Sequence, residues 1–224
     1  MYEQNNIKTT SQKNSLVADN KWKIVISVIA IAMTSIVGIF LWDNLPAQLP
    51  VHFDINGNPD SFMPKVAAIS VIPTTLVAIH LLALLGMLRQ VKRDSNNKVI
   101  HYVIWIVPAV AILVMGCIYT YSMNIQVNVG LLVTIFLGVL FVILGNIMPK
   151  VSRNHFFGIR ICWTLKDDDN WYHTHRVGGF SFVIGGLLMI FASLAGNLYI
   201  TLGLTFATVI VPILFSWIYA LRHK

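Results

Sequence analysis

Six long runs of apolar residues, separated by polar segments of unequal length, set the pattern of this 224-residue chain. The runs cover about 22–42, 66–88, 99–121, 130–148, 177–196 and 199–220. A helix rises about 1.5 Å per residue and needs about 20 residues to cross a hydrocarbon core of roughly 30 Å, so each run predicts a transmembrane helix. The fold class expected is an all-α integral membrane protein with six transmembrane helices. Residues 1–21 are polar, without apolar periodicity, and predict a flexible tail. Residues 22–88 form the first two spans with a structured loop at 43–65, which carries four prolines and the turn signals Asn56-Gly57 and Asn58-Pro59. Residues 89–224 hold four further spans. The last two are joined by so few residues that they make an antiparallel helical hairpin, and a polar, aromatic-rich loop at 149–177 precedes them.

Composition agrees with that pattern. Hydrophobic residues make up 56% and charged residues 11% of the chain, at a mean hydropathy of +0.71, which is far from a soluble globular domain. The net charge of +7 is a matter of topology. With both termini in the cytoplasm, Lys65 is left as the single outer residue of the sixteen Lys and Arg, as the positive-inside rule requires. The same distribution accounts for the basic character without nucleic acid. It also places the 43–65 loop outside the cell and the 149–177 loop inside. Cys117 and Cys162 are too few and too far apart to suggest a disulfide framework or a zinc site.

Within the spans no Asp, Glu or Arg occurs and the one Lys, Lys23, sits at the very start of the first, which weighs against a proton pump, a carboxylate-coupled carrier or an aspartyl intramembrane protease. His80 is the one titratable side chain deep in a span. It reads either as a substrate or proton site or as a neutral imidazole bonded to a neighbouring helix. Pro73, Pro108 and Pro212 each follow two aliphatic residues and free a helix carbonyl. A small-molecule or peptide transporter built on such kinked helices is the alternative to a non-transporting function. Gly130, Thr134 and Gly138, and then Ser181 and Gly185, recur at four-residue spacing and predict close helix packing.

In the 149–177 loop, Thr164-Leu165-Lys166-Asp167 fits a helix start, with Asp167, Asp168 and Asp169 in the first turn and a helix continuing into the fifth span. Trp171 and His175 would then share a face. His155, His173 and His175 raise the question of a metal. On a helix, however, His173 and His175 point about 200° apart and cannot hold one ion, so no metal or other cofactor is expected. No nucleophile, acid and base come together, so no enzyme is expected either. Outside, Pro50-Val51-His52-Phe53-Asp54 alternates as an extended run before the Asn56-Gly57 turn. That run either offers an edge to an extended peptide or caps the bundle.

Two of these stretches carry a resemblance. LPAQLPVHFDINGNPDSFMPK resembles the domain found between the first two helices of bacterial SdpI-type membrane immunity proteins, and NHFFGIRICWTLKDDDNWYHTHRVGG resembles that family's second signature. Ile161-Cys162 stands where the family commonly has Thr-Pro. The resemblance implies a six-helix protein of the bacterial cytoplasmic membrane that protects its producer against a secreted antimicrobial peptide. The partners expected are that peptide toxin and the lipid bilayer, and a further reading is a receptor whose basic inner loops, notably 89–98, hold a cytoplasmic regulatory protein at the membrane and relay the toxin's presence to it. The family positions carried over are Pro50, His52, Phe53, Asn56, Gly57 and Lys65 in the outer loop. In the inner loop they are Asn154, Gly158, Arg160, Trp163, Thr164, Trp171, His175, Arg176 and Gly179.

Overall fold

The computed structural model describes residues 2–54, 57–90, 97–154 and 157–223, with side chains for 20–54, 57–87, 102–154 and 157–223. Asn56, His155 and most of the basic connector at 89–98 therefore lie outside the described residues. Among the described residues, six helices are long and apolar enough to cross a membrane. They are α1 (Tyr2–Phe40), α2 (Lys65–Gln90), α3 (Asn97–Ser122), α4 (Val129–Ile147), α6 (Asp168–Leu194) and α7 (Leu198–Arg222), with a short α5 (Cys162–Lys166) before α6. Pro73, Pro108 and Pro212 each lie inside one of these helices, which continues past it. The segment expected to be a flexible tail is helical in α1 back to Tyr2. A span already formed spares the tail the cost of nucleation, so the helix propagates outward residue by residue.

The helical expectation leaves out one element. Between α1 and α2 the chain forms an antiparallel hairpin of β1 (Gln48–Phe53) and β2 (Pro59–Pro64). The chain divides into two compact units, residues 1–130 and 131–224. In the first, Leu45 and Leu49 at the base of the hairpin are buried with Ala68, Ile69, Met115, Ile118 and Tyr119. Polar bonds cross between the helices of this unit. The Tyr119 hydroxyl donates to Thr34 O at 2.8 Å, and Ser35 donates to Ile69 O at 2.9 Å.

In the second unit, small residues set the helix spacing, though not quite the expected ones. A Cβ on Gly138 would lie 2.8 Å from Gly186 O, and one on Gly145 would lie 2.8 Å from Gly179 O, so α4 and α6 meet at two points seven residues apart. Ser181 and Gly185 face α7 instead, where Ser181 donates to Thr208 O at 2.9 Å. Deeper contacts join α6 and α7 through Asn170. Its Nδ2 donates to Ser216 O (3.1 Å), and its Oδ1 accepts from Ser216 (2.6 Å) and Thr174 (2.9 Å).

Candidate functional site: the hairpin and the loop before α6

The hairpin owes its shape to two irregularities. Pro50 pairs with Phe62, His52 with Ser61 and Phe53 with Pro59, so Val51 is an extra residue on β1 and Asp60 an extra one on β2. Such bulges re-aim side chains. Here the second brings Asp60 Oδ1 to 2.5 Å from His52 Nδ1, with both side chains largely exposed. Pro50 is buried, whereas Phe62 is 55% exposed. Phe53 turns toward α3 and meets Tyr121 edge-on at 5.3 Å. Gly57 takes a φ of +82° in the turn, where Gly57 N–H donates to Asp54 O and Asn58 N–H to Asp54 Oδ1.

Lys65 is not a free outer cation. Its ammonium lies 4.4 Å from the centre of the Trp42 ring and donates to Trp42 O (2.8 Å) and Leu45 O (3.0 Å). A lysine at the start of α2 is disfavoured by the helix dipole, and bending back to the carbonyls of the turn at Trp42–Asn44 relieves that. It fixes where the hairpin leaves the helix pair.

His80, in α2, is buried and lies 2.8 Å from Ser27 Oγ of α1 through Nε2. The serine proton goes to Ile24 O at 2.7 Å, so the serine oxygen accepts and the imidazole donates. This is the bonding of a packed histidine that joins two helices.

The loop before α6 gathers many of the positions singled out there into one knot. After α4 the chain makes a turn at Met148–Lys150 and then runs extended at Val151. Asn154 closes the next bend: its Oδ1 accepts from Phe157 N–H (2.7 Å), and its Nδ2 donates to Ser152 O and Phe157 O. Gly158 has a φ of +114°, and a Cβ there would lie 2.3 Å from His175 Nε2 and 3.1 Å from the Trp171 ring. Only glycine suits both the dihedral and the space. Next, Ile159 N–H donates to His175 Nε2 at 3.0 Å, and His175 Nδ1 lies 2.8 Å from Trp171 O. One nitrogen accepts and the other donates, so the imidazole is neutral with its proton on Nδ1. Trp171 Nε1–H donates to Val151 O at 2.8 Å.

The helix start differs from the expected one. Thr164 sits inside α5, fully buried, where its hydroxyl accepts from Ile161 N–H (3.1 Å) and donates to Ile159 O (2.7 Å). The chain leaves helical geometry at Asp167, whose carboxylate accepts from Asp169 N–H at 2.9 Å and so caps α6 in the threonine's place. Asp168 and Asp169 fall in the first turn as expected. Arg153, counted in the sequence only for its charge, ties α5 to α6. Its Nε bonds Asp168 at 2.7 Å and its Nη1 donates to Leu165 O at 3.1 Å.

Trp171 and His175 share a buried face, while His173 is exposed and stacks on Tyr219. Gly179 packs against Pro149. Arg176 is exposed and donates to the Tyr172 hydroxyl at 3.2 Å, Arg160 is exposed, and Trp163 is half-buried. Sequence reading missed Arg153, Asp60 and the Asn170–Ser216 bond. For the last, an asparagine and a threonine one turn apart at the mouth of an apolar helix were a usable signal.

The comparisons with known proteins fall on the same two regions. Residues 150–219 match the SdpI/YfhL protein family, and residues 29–77, which contain the hairpin, match a domain of unknown function (DUF1648). The chain is 26% identical over 187 residues to the Immunity protein SdpI of Bacillus subtilis (strain 168), covering 80% of this chain and 86% of that protein. No solved structure matches. With one region holding the knot, the other the hairpin, and a relative matched across both, the chain is similar to SdpI-type proteins along most of its length, and its six apolar helices agree with a multi-pass membrane protein.

Proposed function

We propose that this chain is a non-enzymatic immunity protein of the bacterial cytoplasmic membrane, which protects the cell carrying it against a secreted antimicrobial peptide. The observation that carries the reading is its likeness, over 86% of that protein's length, to a protein named for immunity. The geometry supports it with a folded hairpin that presents His52, Asp60 and Phe62 beside the membrane spans. In this reading the termini and the loop before α6 are cytoplasmic, which keeps fifteen of the sixteen Lys and Arg inside, and the hairpin faces the arriving peptide.

The mode of contact follows from the hairpin's edges. Pro50, Pro59 and Pro64 remove donors, and two bulges break the ladder, so adding the toxin as a further strand is disfavoured. Contact through exposed side chains is favoured instead. The knot fixes the ends of the helices or signals inward to a cytoplasmic regulator.

Survival of a peptide-sensitive strain that expresses the chain tests this. Protection is expected against a secreted, membrane-active peptide toxin tested from a panel that includes any cognate or neighbouring one, lost in a His52→Ala/Phe62→Ser variant at equal membrane abundance. An unprotected strain overturns the reading. Orientation is checked separately with a membrane-impermeant maleimide, which is expected to reach the exposed Cys162 only after the cells are permeabilised.

A further inference from the structure

One side of α6 is exposed along most of its length. Phe180, Ile184, Leu187, Leu188 and Phe191 recur at helical spacing and form an apolar stripe about 16 Å long, close to the depth of one leaflet of a roughly 30 Å hydrocarbon core. One turn before Phe180 comes Arg176, and one turn before that Tyr172, both exposed and bonded to each other.

Tyr172 is also a wall of a cleft of about 290 Å³ between the turn after α4 and the first turns of α6. Lys150 and Arg153 line its rim, and the buried Trp171 and His175 close its inner side. Asp168, also on the cleft, holds the Arg153 guanidinium through Nε, while Leu165 O takes one Nη1 bond. Three of the five N–H donors of that group are then still to be placed, in a guanidinium already oriented by its partners. A planar guanidinium and a nearby ammonium suit a phosphate. Among the residues that line the cleft, Lys150 and Arg153 outnumber the carboxylate of Asp168, and Arg176 is bonded to the lining residue Tyr172.

We propose that the cleft seats the phosphate of an anionic phospholipid whose acyl chains lie along the Phe180–Phe191 stripe. Apolar length, polar boundary and cationic cleft follow one another on a single helix in the order that a lipid presents them. An anion from solution would use the cleft and leave the stripe unused.

The test titrates the full-length protein in mild detergent with phosphatidylglycerol and with phosphatidylcholine of the same chains, reading retained lipid by native mass spectrometry. Phosphatidylglycerol is expected to be retained in preference. Lys150→Gln is expected to weaken it about fivefold, and Lys150→Gln/Arg153→Gln further, as juxtamembrane cations contribute about 1 kcal/mol each. Because Arg153 also braces α5 against α6, the Lys150→Gln variant decides the matter if the double variant unfolds. Arg222→Gln, in the last turn of α7, is expected to change nothing. Equal retention of the two lipids, or equal loss in Arg222→Gln, overturns the proposal. So does displacement of the lipid by inorganic phosphate at matched concentration, which would show a plain anion site.

Discussion

Trp171 and His175 lie one turn apart on α6 with their rings stacked 3.9 Å between centres, and each holds a different strand of the same loop. Trp171 binds Val151 O, and His175 receives Ile159 N–H, so a pair of side chains on one helix fixes both the departure and the return of the segment between α4 and α6. Because Gly158 packs against both rings, the two bonds stand or fall together.

That coupling is measurable. Trp171→Ala is expected to cost about 3–5 kcal/mol through lost packing. His175→Ala is expected to cost about 2–3 kcal/mol, because it opens a cavity and leaves the half-buried Ile159 N–H without its partner. The double variant is expected to fall short of the sum by about 1 kcal/mol, as for residues in one network. Reversible unfolding in detergent, read by far-ultraviolet circular dichroism for all four proteins, gives the coupling. A sum that closes would mean that the two rings act independently.

Gly158→Ala separates backbone from side chain. The added methyl meets His175 Nε2 and forces an alanine to a φ of +114°. Strained backbone of this kind costs about 1–3 kcal/mol before the clash is counted. A lower midpoint is expected, together with faster protease cleavage within residues 152–161, since the bond from Ile159 to His175 must lengthen. Gly196→Ala, also at positive φ but with open space around it, is the control. It is expected to carry the strain without the change in protease sensitivity.

On the hairpin, function and stability are expected to part. The His52–Asp60 pair is exposed, and exposed ion pairs contribute about 0–1 kcal/mol. His52→Ala and Asp60→Asn should therefore unfold within about 1 kcal/mol of the parent, while survival in the presence of the toxin falls. Lys65→Met is expected to do the reverse of His52→Ala in the unfolding assay. It removes two charge-assisted bonds from a half-buried site, worth about 1.5–3 kcal/mol each before water compensates. Equal unfolding of Lys65→Met and the parent would return Lys65 to the set of contact residues.

The contrast between Lys65 and the apolar runs shows what the sequence could express. Span number and limits are set by the length of apolar stretches against a fixed bilayer thickness, a local property, and the six helices lie where those stretches do. The turn at Gly57 was legible for the same reason, because glycine, lacking a Cβ, takes the positive φ that the turn needs. Lys65 was not, since its partners are backbone carbonyls about twenty residues away, and every sequence offers those. The cap of α6 shows a second kind of miss. Threonine and aspartate both fit the start of a helix, and bonds from Thr164 to Ile159 and Ile161 in the folded loop decide in favour of Asp167. Thr164, Trp171 and His175 were picked out together by resemblance, but only the fold shows that a shared bond network joins them.

His80 allows a last separation, between a structural and a transporting role for the first two helices. Its Nε2–H donates to Ser27, and the serine proton continues to Ile24 O, so the chain of bonds ends within α1. Hydrogen bonds between transmembrane helices contribute about 0.6 kcal/mol on average and up to about 1.7. Ser27→Ala and His80→Ala, each removing one partner, are expected to lower stability. Their double variant should recover part of the loss, because Ser27→Ala alone leaves a buried imidazole N–H without its acceptor. If His80 only joins α1 to α2, the Ser27→Ala/His80→Gln protein should still protect cells to the extent that it remains in the membrane. Complete loss of protection at normal abundance and normal unfolding midpoint would assign His80 a part in function that its bonding to Ser27 does not account for.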